Sequence, residues 1–311
     1  MKIVIAGGTG FLGTPLAGIC AEEGHDVRLL TRALPPGASR HEAGTGVPGI
    51  TSVGWAPDGR AGAWAAALES ADAVVNLAGA SIAAKRWTPA WKAELRDSRL
   101  LATRSLATAI EALDTPPRVF VSMSGVNYYG SSGDEPKGES SPAGEDFLAQ
   151  LCRDWEAEAL RIQRREVRVA VVRTGIVLER SGGALVELMR PFRFFAGGPL
   201  GSGRQYMSWI HRHDWVEMIR WIVNTPEAAG PLNATAPHPV TNRHFSRALG
   251  RAMGRPALVP APAFAIRLAV GEFADYLLTG QRVVPERPLA LGYHFRYPEI
   301  EMAFRGIFGE R

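Results

Sequence analysis

Along the first half of the chain, apolar residues gather in short continuous runs at positions 2–6, 27–31, 50–55, 73–77, 119–123 and 167–172. Valine, isoleucine and leucine follow one another in several of these runs instead of alternating with polar residues, which predicts strands buried on both faces, as in a parallel sheet. Between them lie segments of helical period at 11–23, 64–69, 89–113 and 147–164. Strand and helix therefore alternate, and the pattern predicts a doubly wound α/β sheet. Beyond residue 182 the texture changes. Glycine and proline punctuate short stretches ("FFAGGPLGSGRQ", "NATAPHPVTN", "RPALVPAPAF"), and helices are readable at 215–224, 242–253 and 264–278. The expected division is a sheet domain over 1–180 and a smaller, mostly helical lobe over 181–311 that is free to interleave with the sheet. The glycine-rich loop 34–49 is expected to be mobile.

Composition adds a few exclusions. At 311 residues, with 46% hydrophobic and 21% charged residues, the chain can bury a sizeable core. No run reaches the roughly 18 apolar residues that a membrane helix needs, so no membrane partner and a cytoplasmic location are expected. A net charge of +4 raises the question of nucleic acid. The arginines are interspersed with acids in stretches such as "CRDWEAEALRIQRRE", which reads as a salt-bridged face, and no nucleic-acid partner is expected. Cys20 and Cys152 read as reduced structural thiols, and the histidines lack metal-ligand spacing, so no metal is expected.

The sharpest local signal is "AGGTGFLG", in which Gly7, Gly10 and Gly13 follow the first strand and open the first helix, with Thr9, Phe11 and Leu12 in the same turn. Glycines there let backbone N–H groups and the positive helix end approach a dinucleotide pyrophosphate without Cβ interference. The second strand ends in Thr31 and Arg32 with no carboxylate beside them. A guanidinium at that strand end suits the 2′-phosphate of NADP(H) better than the free ribose of NAD. Asn76, Leu77, Ala78 and Gly79 close the fourth predicted strand and fall at the same edge.

The glycine turn, "NLAG" and "VSMSGVNYYG" together resemble the extended short-chain dehydrogenase/reductases. More closely, the chain resembles the atypical subfamily called epimerase family proteins, which carry a distinctive C-terminal segment. The likeness runs nearly end to end through Arg86, Trp87, Lys92, Ser98 and Arg99, "YYG" at 128–130, "CRDWE", "RTGIVL", "GGPLGSGRQ" with "WIH" and Asp214, and "GQRVVPER". The resemblance implies a Rossmann-type domain that binds NADP(H), with Arg99 and Val177 reaching the nicotinamide half. Ser122 and Ser124 stand in the neighbourhood of the superfamily's serine.

That superfamily moves protons with a Tyr-x-x-x-Lys pair, in which the lysine lowers the phenol's pKa. Here no tyrosine is followed four positions on by lysine, and the matching helix has Phe147 and Leu151 in those places. The candidates left are Ser124 as hydrogen-bond donor and Tyr129 as acid/base, its pKa lowered by Arg99 or Lys92. Asp214 reads as a helix N-cap. Residues 197–205 read either as an anion-binding loop or as a plain connection. The expected function is an NADP(H)-dependent oxidoreductase or nucleotide-sugar epimerase acting on a carbonyl or hydroxyl compound, with an unidentified small-molecule substrate. The alternative is a non-catalytic protein that binds or senses NADP(H). A homodimer is left open.

Overall fold

The computed structural model describes residues 1–33, 42–44 and 47–309. Most of the loop expected to be mobile therefore lies outside the described residues. In chain order the elements are β1 (Lys2–Ala6), α1 (Gly13–Glu22), β2 (Asp26–Thr31), β3 (Glu42–Gly44), β4 (Ile50–Gly54), β5 (Ala73–Asn76), α2 (Pro89–Ala112), β6 (Val119–Gly125), β7 (Pro136–Lys137), α3 (Phe147–Ala159), β8 (Arg168–Thr174) and β9 (Ile176–Leu178). They continue with α4 (Gly183–Arg193), β10 (Tyr206–Met207), β11 (Trp209–His211), α5 (Arg212–Asn224), β12 (Gly230–Ala234), β13 (Val240–Thr241), α6 (Asn242–Met253), α7 (Ala263–Val270), α8 (Ala274–Leu278), β14 (Arg282–Val283), α9 (Glu286–Ala290) and α10 (Ile300–Phe308).

The main sheet runs β12-β8-β6-β5-β1-β2-β4-β3, parallel except for β3 at the edge. It is the Rossmann-like arrangement that the unalternating apolar runs predict. Both faces are buried: Ile3 and Ile5 belong to one core with α1, α3 and α5, while Val4 and Ala6 belong to the other with α2. The strand order reverses between β1 and β5, with Ala6 opposite Asn76, and at such a switch point the carboxyl ends of the strands open a crevice. Edge strand β12 pairs with β8, and Trp215 and Ile219 of α5 enter the first core. Residues 212–234 thus return to the sheet from the part of the chain expected in the smaller lobe.

A third core joins α4, α6 and α10 through Leu185, Met189, Phe192, Phe245, Leu249 and Phe304. The C-terminal segment is tied back to the body by β14, which pairs in parallel with β7. Two expectations need correction. The helix expected at 264–278 breaks at Gly271, whose φ is +67°; a Cβ there would meet Arg86 Nε at 2.9 Å. Asp214 is not the cap of α5: His211 Nδ1 accepts from the His213 amide instead, and the Asp214 carboxylate accepts from the amides of Arg296 and Tyr297. Among the described residues, no helix is long and apolar enough to cross a membrane.

Candidate functional site

At the switch point the first turn and the β5 loop close on each other. Gly7 has φ +75°, and a Cβ on it would lie 2.9 Å from the carbonyl carbon of Leu77. A Cβ on Gly13 would lie 2.6 Å from the Gly7 carbonyl oxygen. Only glycine fits at either place without moving backbone. The Gly10 amide bonds the Gly7 carbonyl, whereas the amides of Thr9, Phe11, Leu12 and Gly13 meet no acceptor among the described residues. They line a concavity at the start of α1, which carries no acidic side chain in its first turn, an arrangement chemically suited to an anion. Phe11 closes one side of it against Gly182 and Gly183, where any Cβ would overlap its ring.

The loop after β5 is held by polar contacts to α2. Asn76 Oδ1 accepts from the Ala78 amide, and its Nδ2 donates to Thr103 Oγ1 at 2.8 Å. Ser98 Oγ accepts from the Ala80 amide, and Arg99 Nη2 donates to the Ala80 carbonyl at 2.9 Å. Gly79 leaves room for the Arg99 stem, which a Cβ would approach to 3.2 Å. Arg99 is buried and has no carboxylate within salt-bridge distance among the described residues. Burial holds its pKa below the usual arginine range, because the charge has left water without a counter-ion. Ser122, one strand over, is also buried, and its hydroxyl has no partner among the described residues. A buried orphan hydroxyl and a buried unneutralised guanidinium are groups that a polar, anionic ligand would satisfy. Thr31 Oγ1 donates to the Ala33 carbonyl, and Arg32 is exposed beyond the end of β2. Val177 lies in β9, its carbonyl against Gly183.

The two residues expected to carry chemistry are placed otherwise than expected. Ser124 donates to Glu156 Oε1 at 2.7 Å. Tyr129 donates to Asn233 Oδ1 at 2.7 Å and accepts from Arg173 Nη1 at 2.9 Å. Burial pushes the Tyr129 phenol up to about 12, and the opposing pull of Arg173 does not cancel it. The cation beside the phenol is therefore Arg173. Arg99 is committed to the β5 loop, and Lys92 pairs with Glu272 over the Trp87 and Phe147 rings. Arg173 and Glu156 form a two-bond buried ion pair, with the guanidinium 3.4 Å from the centre of the Tyr128 ring. Glu139 extends this network by accepting from the amides of Asn233 and Arg287.

On α3, Phe147 packs edge-on against Trp87 and Leu151 is buried in the sheet core. Tyr276 and Phe273 from the C-terminal segment complete this aromatic cluster. In the loop 197–205, Gln205 Nε2 donates to the carbonyls of Leu200 and Leu277, and Arg204 is exposed. Sequence reasoning missed the Arg173–Glu156 pair and the Gly182–Gly183 seat for Phe11. Only an arginine on a buried strand could have hinted at the first.

Residues 3–234 match the NAD dependent epimerase/dehydratase family. The chain belongs to that family. Residues 261–307 match a separate domain of unknown function, DUF1731, which contributes α7 to α9 and most of α10. An Arabidopsis thaliana relative, the epimerase family protein SDR39U1 homolog, chloroplastic, is 38% identical over 309 residues, covering 99% of this chain and 86% of the relative. The crystal structure of human epimerase family protein SDR39U1 (isoform 2) with NADPH is 37% identical, covers 100% of both chains and superposes with a TM-score of 0.88. A nucleoside-diphosphate sugar epimerase from Corynebacterium glutamicum is 31% identical with a TM-score of 0.77, covering 99% of this chain and 58% of that one.

Proposed function

We propose that this epimerase-family chain binds NADP(H) in the crevice between β1 and β5 and acts as an oxidoreductase or epimerase on a carbonyl or hydroxyl compound. The observation that carries the cofactor reading is the glycine turn, whose amides at Thr9, Phe11, Leu12 and Gly13 are left without acceptors while Gly7 and Gly13 admit no side chain. In this reading Gly7, Gly10 and Gly13 cradle the pyrophosphate and Asn76 to Gly79 form the adjoining wall. Arg32, beside Thr31, holds the 2′-phosphate. Arg99, Ser122 and Val177 face the nicotinamide half, where Arg99 brings a charge that no carboxylate among the described residues neutralises. The NADPH of the human relative supports the choice of NADP(H) over NAD, as does the absence of a carboxylate at the end of β2. The Corynebacterium relative is named for nucleoside-diphosphate sugars, which makes that class the first to test.

A bound nicotinamide supplies or accepts hydride. The protein's part is to bind and orient the substrate and to exclude water. Ser124 and Tyr129 act here as positioning residues that fix the end of β6 through Glu156 and Arg173, since both hydroxyl protons are already donated inside the protein. With both thiols buried and free, we place the protein in the cytoplasm.

Phe147 and Leu151 in place of a proton-transferring pair favour a second reading, in which NADP(H) is bound and sensed without turnover. Incubation with stereospecifically deuterated NADPH and a panel of carbonyl compounds and nucleotide sugars separates the two. Label in a product supports the enzyme; tight NADPH binding with no label in any product supports sensing. Failure to bind either nicotinamide cofactor in a calorimeter overturns both.

A further inference from the structure

The charge of this protein is unevenly distributed. No Asp or Glu lies between Glu187 and Asp214, or between Glu227 and Glu272, yet these two segments contain Arg190, Arg193, Arg204, Arg212, Arg243, Arg247, Arg251, Arg255 and Arg267. On α6 the spacing of Arg243, Arg247 and Arg251 by four residues sets the three on one helix face. All three are exposed, and Arg255 continues the series past the left-handed cap at Gly254. Arg193, Arg247, Arg251 and Arg255 have no salt-bridge partner among the described residues. On α10 and its cap, Glu301 bonds His244 and also feels the charge of Arg251, and Glu299 lies against His238.

The same two segments expose large apolar side chains. Phe194 and Leu258 are each 81% exposed, Leu268 75% and Phe264 74%. Phe264 and Leu268 lie one turn apart on α7. The two segments run side by side, with the Val259 amide on the Gly197 carbonyl and the Ala261 amide on the Pro199 carbonyl. The Arg255 guanidinium sits 4.4 Å from the centre of the Phe195 ring, so the arginine series ends on the apolar loop.

Phe195 itself is in an unfavourable place. It ends α4 with φ +58°, its amide bonding the Phe192 carbonyl while the Ala196 amide bonds that of Pro191. That is the left-handed C-terminal cap where glycine is free of strain and a bulky residue costs about 1 kcal/mol. The cost is borne by a side chain that faces water.

We propose that this arginine-lined apolar surface of the C-terminal lobe, built from the loop after α4, the exposed face of α6 and the segment from Leu258 through α7, docks onto an anionic lipid bilayer. Phe194, Phe195, Leu258, Phe264 and Leu268 enter the interface, and the α6 arginines meet lipid phosphates. Apolar groups beside the unpaired cations Arg193, Arg247, Arg251 and Arg255, with Asp275 and Glu301 at the margins already engaged by Arg267 and His244, match the two attractions that hold peripheral proteins on negatively charged membranes. Leu258 and Leu268, two of the most exposed side chains, are aliphatic and offer a nucleic acid no ring to stack on, and the concentration of unpaired like charge disfavours pairing with a second copy of the same face. The earlier expectation of no membrane partner rested on the lack of a spanning run, and a surface contact needs none.

The test is co-sedimentation of the purified protein with vesicles of phosphatidylcholine alone and of phosphatidylcholine mixed equally with phosphatidylglycerol. Binding should appear on the anionic vesicles only, weaken as salt rises, and fall by about tenfold or more in Phe264→Ser/Leu268→Ser and in Arg247→Gln/Arg251→Gln. Unchanged melting temperatures will verify that these exposed substitutions leave the fold intact. The proposal is overturned by no association with anionic vesicles at low salt, or by association that the variants and salt leave unchanged. It is also overturned if the variants instead dissolve a solution dimer, or if the protein binds a soluble polyanion such as heparin but no vesicle.

Discussion

Arg99 offers a perturbation in which stability and binding should respond differently. In Arg99→Met the stem still fills the space beside Gly79 and under Trp155, and the guanidinium is lost. The Leu95 carbonyl keeps the Ser98 hydroxyl as a donor, so the change leaves only the Ala80 carbonyl short of a partner. One unsatisfied carbonyl costs about 1–3 kcal/mol. Against this stands the relief of a charge buried without a counter-ion, whose cost is visible in the lowered pKa of Arg99. The two effects oppose each other, and the apo protein should unfold in urea within about 1.5 kcal/mol of wild type. Affinity for NADPH has no such compensation. A hydrogen bond from a charged donor is worth about 1.5–3 kcal/mol, so Kd should rise by roughly 10- to 150-fold. Calorimetric titration reads that rise directly, and a smaller NADPH-induced increase in melting temperature reads it independently. If the variant lost about 3 kcal/mol or more of stability while binding NADPH as well as wild type does, Arg99 would be a structural clamp for the β5 loop and the site would need another cation.

Arg32→Ala should weaken NADPH binding by about fivefold while leaving NADH binding nearly unchanged, since an exposed guanidinium contributes about 1 kcal/mol to a phosphate contact; a preference for NADPH that survives the change removes Arg32 from the account. Tyr129→Phe should cost about 1–2 kcal/mol of stability by stranding Asn233 Oδ1, and leave any turnover within a few-fold; Glu156→Gln should cost about 3–5 kcal/mol by leaving Arg173 buried and uncompensated. A loss of turnover of about a hundredfold or more in folded Tyr129→Phe would return the phenol to an acid/base role. His211 has a pKa lowered by burial from 6.5 to about 4. Its contribution to stability is therefore complete above pH 6.5 and lost as pH falls through 4, and amounts to on the order of 2–3 kcal/mol. Melting temperatures of wild type and His211→Asn, which keeps an N-cap acceptor, should diverge between neutral pH and pH 4; parallel curves would refute this assignment.

Much of the frame was legible along the chain because it follows from local rules. Unalternating Val/Ile runs mean strands covered on both faces, the helical period between them means crossovers, and three glycines after the first strand mean backbone close to a ligand. Those rules hold over a few residues at a time, so the sheet, its switch point and the tight turn at Gly7 and Gly13 could be read directly. The helix expected at 264–278 failed because Gly271 takes φ +67° and ends α7, at a place where a Cβ would crowd Arg86, a residue far away in sequence. Asp214 was misread for a similar reason: its carboxylate finds better donors in the 296–297 backbone than in its own helix.

The candidate site divides along the same line. Backbone-built parts follow from glycine spacing, which is a property of the sequence by itself. Whether a side chain is free to act depends on what lies across from it, and that is a matter of tertiary packing. Ser124 and Tyr129 look available on paper; Glu156 and Asn233, brought in from α3 and β12, take both of their protons. Arg99 is singled out in the sequence only by the family resemblance, and it is packing that leaves it buried with no carboxylate among the described residues to neutralise it. The arginines of α6 appear scattered in a list of residues because their grouping is one of period and of absent acids, and it becomes a surface only when the α4 loop brings Phe194 and Phe195 beside them. The sequence by itself determined the fold class and the glycine turn proposed to hold phosphates, because both are set by short-range backbone geometry. Tertiary structure alone decided which polar groups are spent and which remain available, because desolvation and hydrogen-bond satisfaction depend on neighbours that the chain brings together from far apart.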